Sequence, residues 1–126
     1  MKKINFTIIF LLLLILSSCK TRKIIGSWEF IEVYQGVTIT KVDSLKSKKN
    51  TSVKGEGILI FNDDSTFNSM DSKGKYRRKG MILKMKYPEL KDTTSLKISY
   101  IDKNYLLLSA IKNEPMTWFY KKVKKE

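Results

Sequence analysis

Histidine is absent from this 126-residue chain, and its one thiol is Cys19. Those two facts remove most of the catalytic repertoire. Without imidazole there is no Ser-His-Asp triad, no Cys-His pair and no imidazole-bound zinc or haem. Carboxylate chemistry is the remaining route, since twelve acidic residues are present. Asp63 and Asp64 are adjacent, but Asn62-Asp63-Asp64-Ser65 falls between two strand-like runs, where short polar side chains support a tight turn. Glu29 and Glu32 lie in an alternating segment, and strict alternation puts them on opposite faces. The six glycines are scattered at segment ends, so no phosphate-cradling loop is formed. The sequence predicts no catalytic site, no metal site and no cofactor.

The neighbours of Cys19 give it a different chemistry. Lys2 and Lys3 precede an apolar run from Ile4 to Leu16, broken only by Asn5 and Thr7 and followed by Ser17 and Ser18. A positive segment, an apolar segment and a small-residue site in that order are an export signal. As a helix the run would cover roughly 20 Å at about 1.5 Å per residue, short of the ~30 Å hydrocarbon core, which predicts a cleaved signal and not a membrane-spanning helix. Leu16-Ser17-Ser18-Cys19 resembles the lipobox of bacterial lipoproteins. The resemblance implies that residues 1–18 are removed, that the Cys19 sulfur receives diacylglycerol, and that its new amino group takes a further palmitate-like chain. Each buried methylene contributes about 0.8 kcal/mol, so two or three chains hold a protein where one would leak off. Lys20 stands where an aspartate commonly retains lipoproteins in the inner membrane, which implies an outer-membrane anchor facing the periplasm. With Cys19 consumed, no disulfide can form, and the 107 residues that follow must be stabilised by packing as one domain.

That domain reads as almost wholly β. Met81 to Tyr87 alternates, with Met81, Leu83, Met85 and Tyr87 on one face and Lys84 and Lys86 on the other, and Leu96 to Tyr100 repeats the pattern. Further strands are predicted at about Ser27 to Tyr34, Val37 to Val42, Gly57 to Asn62, Thr66 to Asp71, Lys75 to Arg78, Tyr105 to Ile111 and Met116 to Val123. Short connections at Asn62 to Ser65, Lys79-Gly80 and Lys103-Asn104 make consecutive strands antiparallel. A single up-and-down meander of eight or nine strands must hide its edges, and closure into a small β-barrel is the predicted solution. Asp43 to Lys54 is Ser-, Lys-, Asn- and Thr-rich without alternation; its composition predicts disorder, with a lid over the barrel mouth as the other reading.

Gly26-Ser27-Trp28 opens the first strand, and Gly57 to Phe67 forms a strand-turn-strand segment. Together they resemble small bacterial lipocalin-like lipoproteins over roughly residues 24 to 123, with the β domain itself at 26–123 behind a 19–25 linker. The resemblance implies that Trp28 plugs the closed end of a barrel and that a basic residue of the last strand, Lys121 or Lys122, covers it. It further implies inward positions at Trp28, Phe30, Phe61, Phe67, Met85, Tyr100, Trp118 and Tyr120, with Leu59, Leu83, Leu96, Ile98, Leu106 and Leu108. These residues either fill the core or line a pocket, in which case Tyr34, Tyr76, Tyr87 and Tyr100 are its polar handles. The implied function is a membrane-anchored binding lipoprotein for a small apolar or amphipathic ligand or lipid. The alternative is a protein-interaction lipoprotein with a filled core, acting as an assembly factor, inhibitor or immunity protein.

Charge supplies a second lead. Removing Lys2 and Lys3 leaves 23 basic and 12 acidic residues, about +11. Nucleic acid is not the expected partner of an exported, anchored chain without a recognition motif; anionic envelope lipid or polymer is. The basic clusters are Lys20 to Lys23, Lys46 to Lys49, Lys73 to Lys79 and Lys121 to Lys125. In a barrel the first and last would meet as a basic collar at one rim, each cation near an anionic bilayer contributing about 1 kcal/mol. The other reading is a set of solvated surface lysines.

Overall fold

The computed structural model describes residues 23–112 and 114–124; the segment expected to be an export signal, and Cys19, lie outside the described residues. Nine strands follow in order: β1 Gly26–Gln35, β2 Ser52–Lys54, β3 Ile58–Phe61, β4 Thr66–Ser69, β5 Ser72–Lys79, β6 Ile82–Lys86, β7 Thr94–Ile101, β8 Tyr105–Ala110 and β9 Met116–Lys122. From β3 onward each pairs antiparallel with its successor, and β9 returns to pair with β1 from Trp28↔Lys122 to Gln35↔Met116. The wall is a closed, up-and-down, eight-stranded barrel with one additional strand.

That additional strand shares an edge of β1 with β3. β3 covers Gly26 to Glu29, and β2 covers Glu32 to Tyr34. Between them Gly55 N–H donates to the Ile31 carbonyl (2.7 Å) and Phe30 N–H to the Gly57 carbonyl (2.9 Å), so the ladder continues through the break. A side chain at Gly55 would meet the Phe30 ring at 2.7 Å, and Gly57 holds φ +103, so both positions suit glycine.

Alternation along the strands builds the interior. Trp28, Leu59, Phe61, Phe67, Leu83, Met85, Ile98, Leu106 and Leu108 form one buried cluster, with Ile24 beneath it. Two β-bulges interrupt the alternation. Phe30 pairs with Tyr120 while Glu32 pairs with Phe119, leaving Ile31 as the extra residue; Ile98 pairs with Leu108 while Tyr100 pairs with Leu107, leaving Ser99 extra. Each inserted residue reverses the faces beyond it. Tyr34 and Tyr100 therefore leave the barrel lumen and join Leu107 and Phe119 in a second cluster on its outer wall.

The chain between β1 and β2 covers that second cluster. Val37 to Val42, expected as a strand, pairs with no strand. Ile39 is buried and Val37 and Val42 partly so, whereas Thr38 and Thr40 are exposed. An extended segment lying with one side on a wall produces the same two-residue period as a strand, which is why the pattern misleads. Thr117 fixes it there: its Oγ1 donates to the Val37 carbonyl and accepts from Ile39 N–H, both at 3.0 Å. The segment expected to be disordered, Asp43 to Lys54, instead runs through 3-10 turns at Val42–Ser44 and Lys46–Thr51 into β2, with Leu45 buried against the outer wall. Ser47, Thr51 and Ser52 hydroxyls each donate to the carbonyl three residues back, which satisfies a polar sequence locally.

Candidate functional site

The two ends of the barrel differ. At the end where β1 begins and β9 finishes, Trp28 is 1% exposed and donates Nε1–H to the Ile24 carbonyl at 2.8 Å. Lys122 Nζ lies 4.6 Å from the Trp28 ring centroid and donates to the Ile25 carbonyl at 3.0 Å. Of the two lysines considered for this position, Lys122 takes it; Lys121 points outward across from Glu29. Gly26, at φ +134, passes so close that a side chain there would run into Lys122. Tyr76 closes the same end, its ring edge-on to Phe61 (4.9 Å between centroids) and its hydroxyl on the Asn62 carbonyl. In the turn beyond, Asp64 Oδ1 accepts from both the Thr66 N–H and hydroxyl, which draws its carboxyl below the usual range. Asp63-Asp64 is thus a turn element.

The middle is filled. Phe67, Leu83, Met85, Ile98, Leu106 and Leu108 are at most 2% exposed, so Phe61, Phe67 and Met85 from the predicted set are core. A groove of about 790 Å³ lies at the sealed rim, bordered by Ile25, Ser27, Ile60, Asn62 and Lys124, and hollows bordered by Trp118 open at the opposite end. Phe30, Leu59, Ser69, Met70, Trp118 and Tyr120 border a half-open hollow of about 240 Å³. Thr94, Leu96, Ala110, Ile111 and, again, Trp118 border a second of about 270 Å³. Trp118 stands between them. Phe30 and Tyr120 stack at 5.3 Å between centroids, and Phe67 meets Tyr87 edge-on at 4.9 Å. Met70, in the β4–β5 turn at φ +52, is 73% exposed beside the first hollow.

Besides the core residues Phe61, Phe67 and Met85, the predicted residues separate into three groups. Phe30, Trp118 and Tyr120 converge at the mouth, Trp28 plugs the far end, and Tyr100 is a correction: it packs outside, as does Tyr34, because of the bulges. The same bulge in β1 corrects the placement of Glu29 and Glu32, which share the outer face. Glu32 accepts the Tyr34 hydroxyl at 2.5 Å, and Tyr100 donates to Asp102 at 2.5 Å. Of the proposed handles, Tyr87 alone packs near the mouth, edge-on to Phe67 and close to Ser69. Burial raises the pKa of Tyr87 and Tyr120, so both phenols are neutral at ordinary pH. Ser69 and Met70 were not foreseen, since a polar residue at a strand end and a turn residue carry no hydrophobic periodic signal. Among the described residues no three acidic or sulfur ligands are grouped to hold a metal.

Comparison with protein-family models, curated proteins and solved structures finds no match to this chain.

Proposed function

We propose that the chain is a lipid-anchored, lipocalin-like binding protein of the cell envelope, holding a small apolar or amphipathic molecule at the open end of its barrel. The observation that carries this reading is the asymmetry of the lumen: Trp28 and Lys122 seal one end, whereas two hollows flank Trp118 at the other, one of them also bordered by Phe30 and Tyr120. Small-molecule pockets usually enclose about 300–1,000 Å³. Each hollow is below that range, which favours a slender occupant such as one acyl chain over a bulky ring system, with Tyr87, Tyr120 and Ser69 as polar contacts.

The anchor follows from the lipobox resemblance at Cys19, and Lys20 favours the outer membrane, facing the periplasm. Ile24 is already buried beneath Trp28. Five peptide steps from Cys19 span at most roughly 17 Å, so the sealed end lies against the bilayer and the mouth faces away from it. Lys23, Lys121 and Lys124 are exposed around that sealed rim, which suits an anionic lipid surface. Cargo then exchanges on the side remote from the anchor.

A second reading has its own support. The solid lower barrel and the covered outer wall favour a scaffold that acts through its surface on another protein. Native mass spectrometry of the protein purified from its own membranes separates the two. A one-to-one small-molecule adduct, lost in Trp118→Asp, is the expected result; a copurifying protein with no adduct would establish the second reading.

A further inference from the structure

The densest charge lies on neither rim but on the wall opposite β1. Along β5 and β6, Tyr76 and Met85 pack inward, so Lys75, Arg77, Lys84 and Lys86 face outward. The register sets Lys75 directly across from Lys86 and Arg77 directly across from Lys84. Like charges placed opposite on neighbouring strands, with Cβ atoms about 4.5–5.5 Å apart, destabilise the pair, and here two such pairs are consecutive on one face. Elsewhere the same barrel avoids this arrangement: Glu29 lies across from Lys121 on β1 and β9. Scattered solvated lysines do not account for the contrast.

These four cations and Arg78 border a half-open hollow of about 640 Å³, completed by Asp64, Ser65, Tyr76 and Thr93. The Asp64 carboxylate is engaged by Thr66. Among the described residues no carboxylate ion-pairs with Lys75, Arg77 or Lys84. Lys86 Nζ is drawn toward the end of its strand by the Tyr87 and Leu90 carbonyls.

We propose that this hollow binds a ligand carrying two adjacent phosphate-type groups, with Arg77 and Lys84 at its centre and Lys75 and Lys86 flanking. One carboxylate would offset only one of the four charges, whereas a diphosphate offsets most of them. A guanidinium presents a fork that matches a tetrahedral oxyanion two bonds at a time, and a concave cationic surface focuses the field on an entering anion. The site is on the outer wall, remote from Trp118, and stands independently of the mouth. A soluble pyrophosphate compound and a lipid pyrophosphate headgroup share this chemistry.

The test uses the full chain in neutral detergent. Inorganic pyrophosphate is titrated calorimetrically into the wild type, into Arg77→Gln/Lys84→Gln, and into Lys46→Gln/Lys48→Gln, which removes equal charge from the 3-10 turn outside β1. The expected result is saturable one-to-one binding that weakens at least tenfold in the first variant and not in the second, with pyrophosphate raising the thermal midpoint of the wild type and of the second variant but not of the first. In a parallel arm, the chain is mixed with phosphatidylcholine vesicles with and without diacylglycerol pyrophosphate. Binding to the pyrophosphate-lipid vesicles that weakens selectively in Arg77→Gln/Lys84→Gln, with no binding of free pyrophosphate, supports the site and assigns a lipid headgroup as its source. Absence of binding in both arms, or equal weakening in both variants, overturns the proposal. Arg77→Gln/Lys84→Gln removes a repulsion, so its unfolding midpoint without ligand is expected to equal or exceed that of the wild type, which verifies that it is folded.

Discussion

Lys122 serves two partners, its ammonium over the Trp28 ring and donating to the Ile25 carbonyl. Replacing it with methionine removes both interactions, and Lys122→Met is expected to lower the unfolding free energy by about 1–2 kcal/mol. Lys121→Met, one residue away on the solvent face, is expected to change it by less than about 0.5 kcal/mol. Urea denaturation followed by tryptophan fluorescence measures both; equal losses would mean that the contact with Trp28 contributes nothing specific. Thr117 is the corresponding residue on the other wall. Thr117→Val keeps the shape but leaves the Ile39 N–H and the Val37 carbonyl without their partner, at a cost of about 1–3 kcal/mol. Hydrogen exchange at the Ile39 amide should accelerate by a larger factor than exchange in β6 if the hydroxyl is what pins the segment.

Among the elements, the tight positions are two glycines in which a methyl group meets an aromatic ring. At Gly74 it would run into the Lys86 backbone carbonyl and meet the Phe67 ring at 2.6 Å in the filled middle, and at Gly55 it would meet the Phe30 ring at 2.7 Å beside the mouth. The surroundings differ, so the outcomes should. Gly74→Ala has nowhere to displace Phe67 and is expected to cost about 1–3 kcal/mol. Gly55→Ala can push Phe30 into the adjacent hollow, so it is expected to cost less stability while weakening retention of the proposed cargo. Thermal unfolding and native mass spectrometry on the same samples distinguish the two. The element pattern was legible where alternation was uninterrupted: β6, β8 and β9 lie within a residue or so of their expected bounds. It failed at β1 and β7, because an extra backbone residue at Ile31 or Ser99 leaves no mark in composition, yet it turns Tyr34 and Tyr100 outward.

For the molecule as a whole, buried phenols tie stability to alkaline pH. Burial, followed by the adjoining Glu32 carboxylate, raises Tyr34, and burial also raises Tyr120, Tyr87 and Tyr76. A group whose pKa is raised by folding favours the folded state fully below its unfolded value, about 10 for tyrosine, and loses that contribution as the pH climbs toward the folded value. Unfolding free energy should therefore be flat through neutrality and fall above pH ~10, with a shallower fall in Tyr34→Phe. Absorbance titration should show Tyr34 and Tyr120 ionising only as the fold opens; their ionisation with the fold intact would contradict the burial argument.

The sequence alone determined the apolar leader, the single cysteine at position 19, the lack of imidazole chemistry and the two-residue period that makes the domain a meander, because each depends on residue type or local spacing. It also placed Trp28 at a barrel end and offered Lys122 as one of two partners. Only the tertiary structure decided which lysine, which tyrosines face the lumen, how much of the lumen stays empty, and that Lys75, Arg77, Lys84 and Lys86 stand in opposed pairs. Those outcomes depend on strand register and on bulges. Both are fixed by the sum of cross-strand contacts around a closed ring, which no single segment encodes.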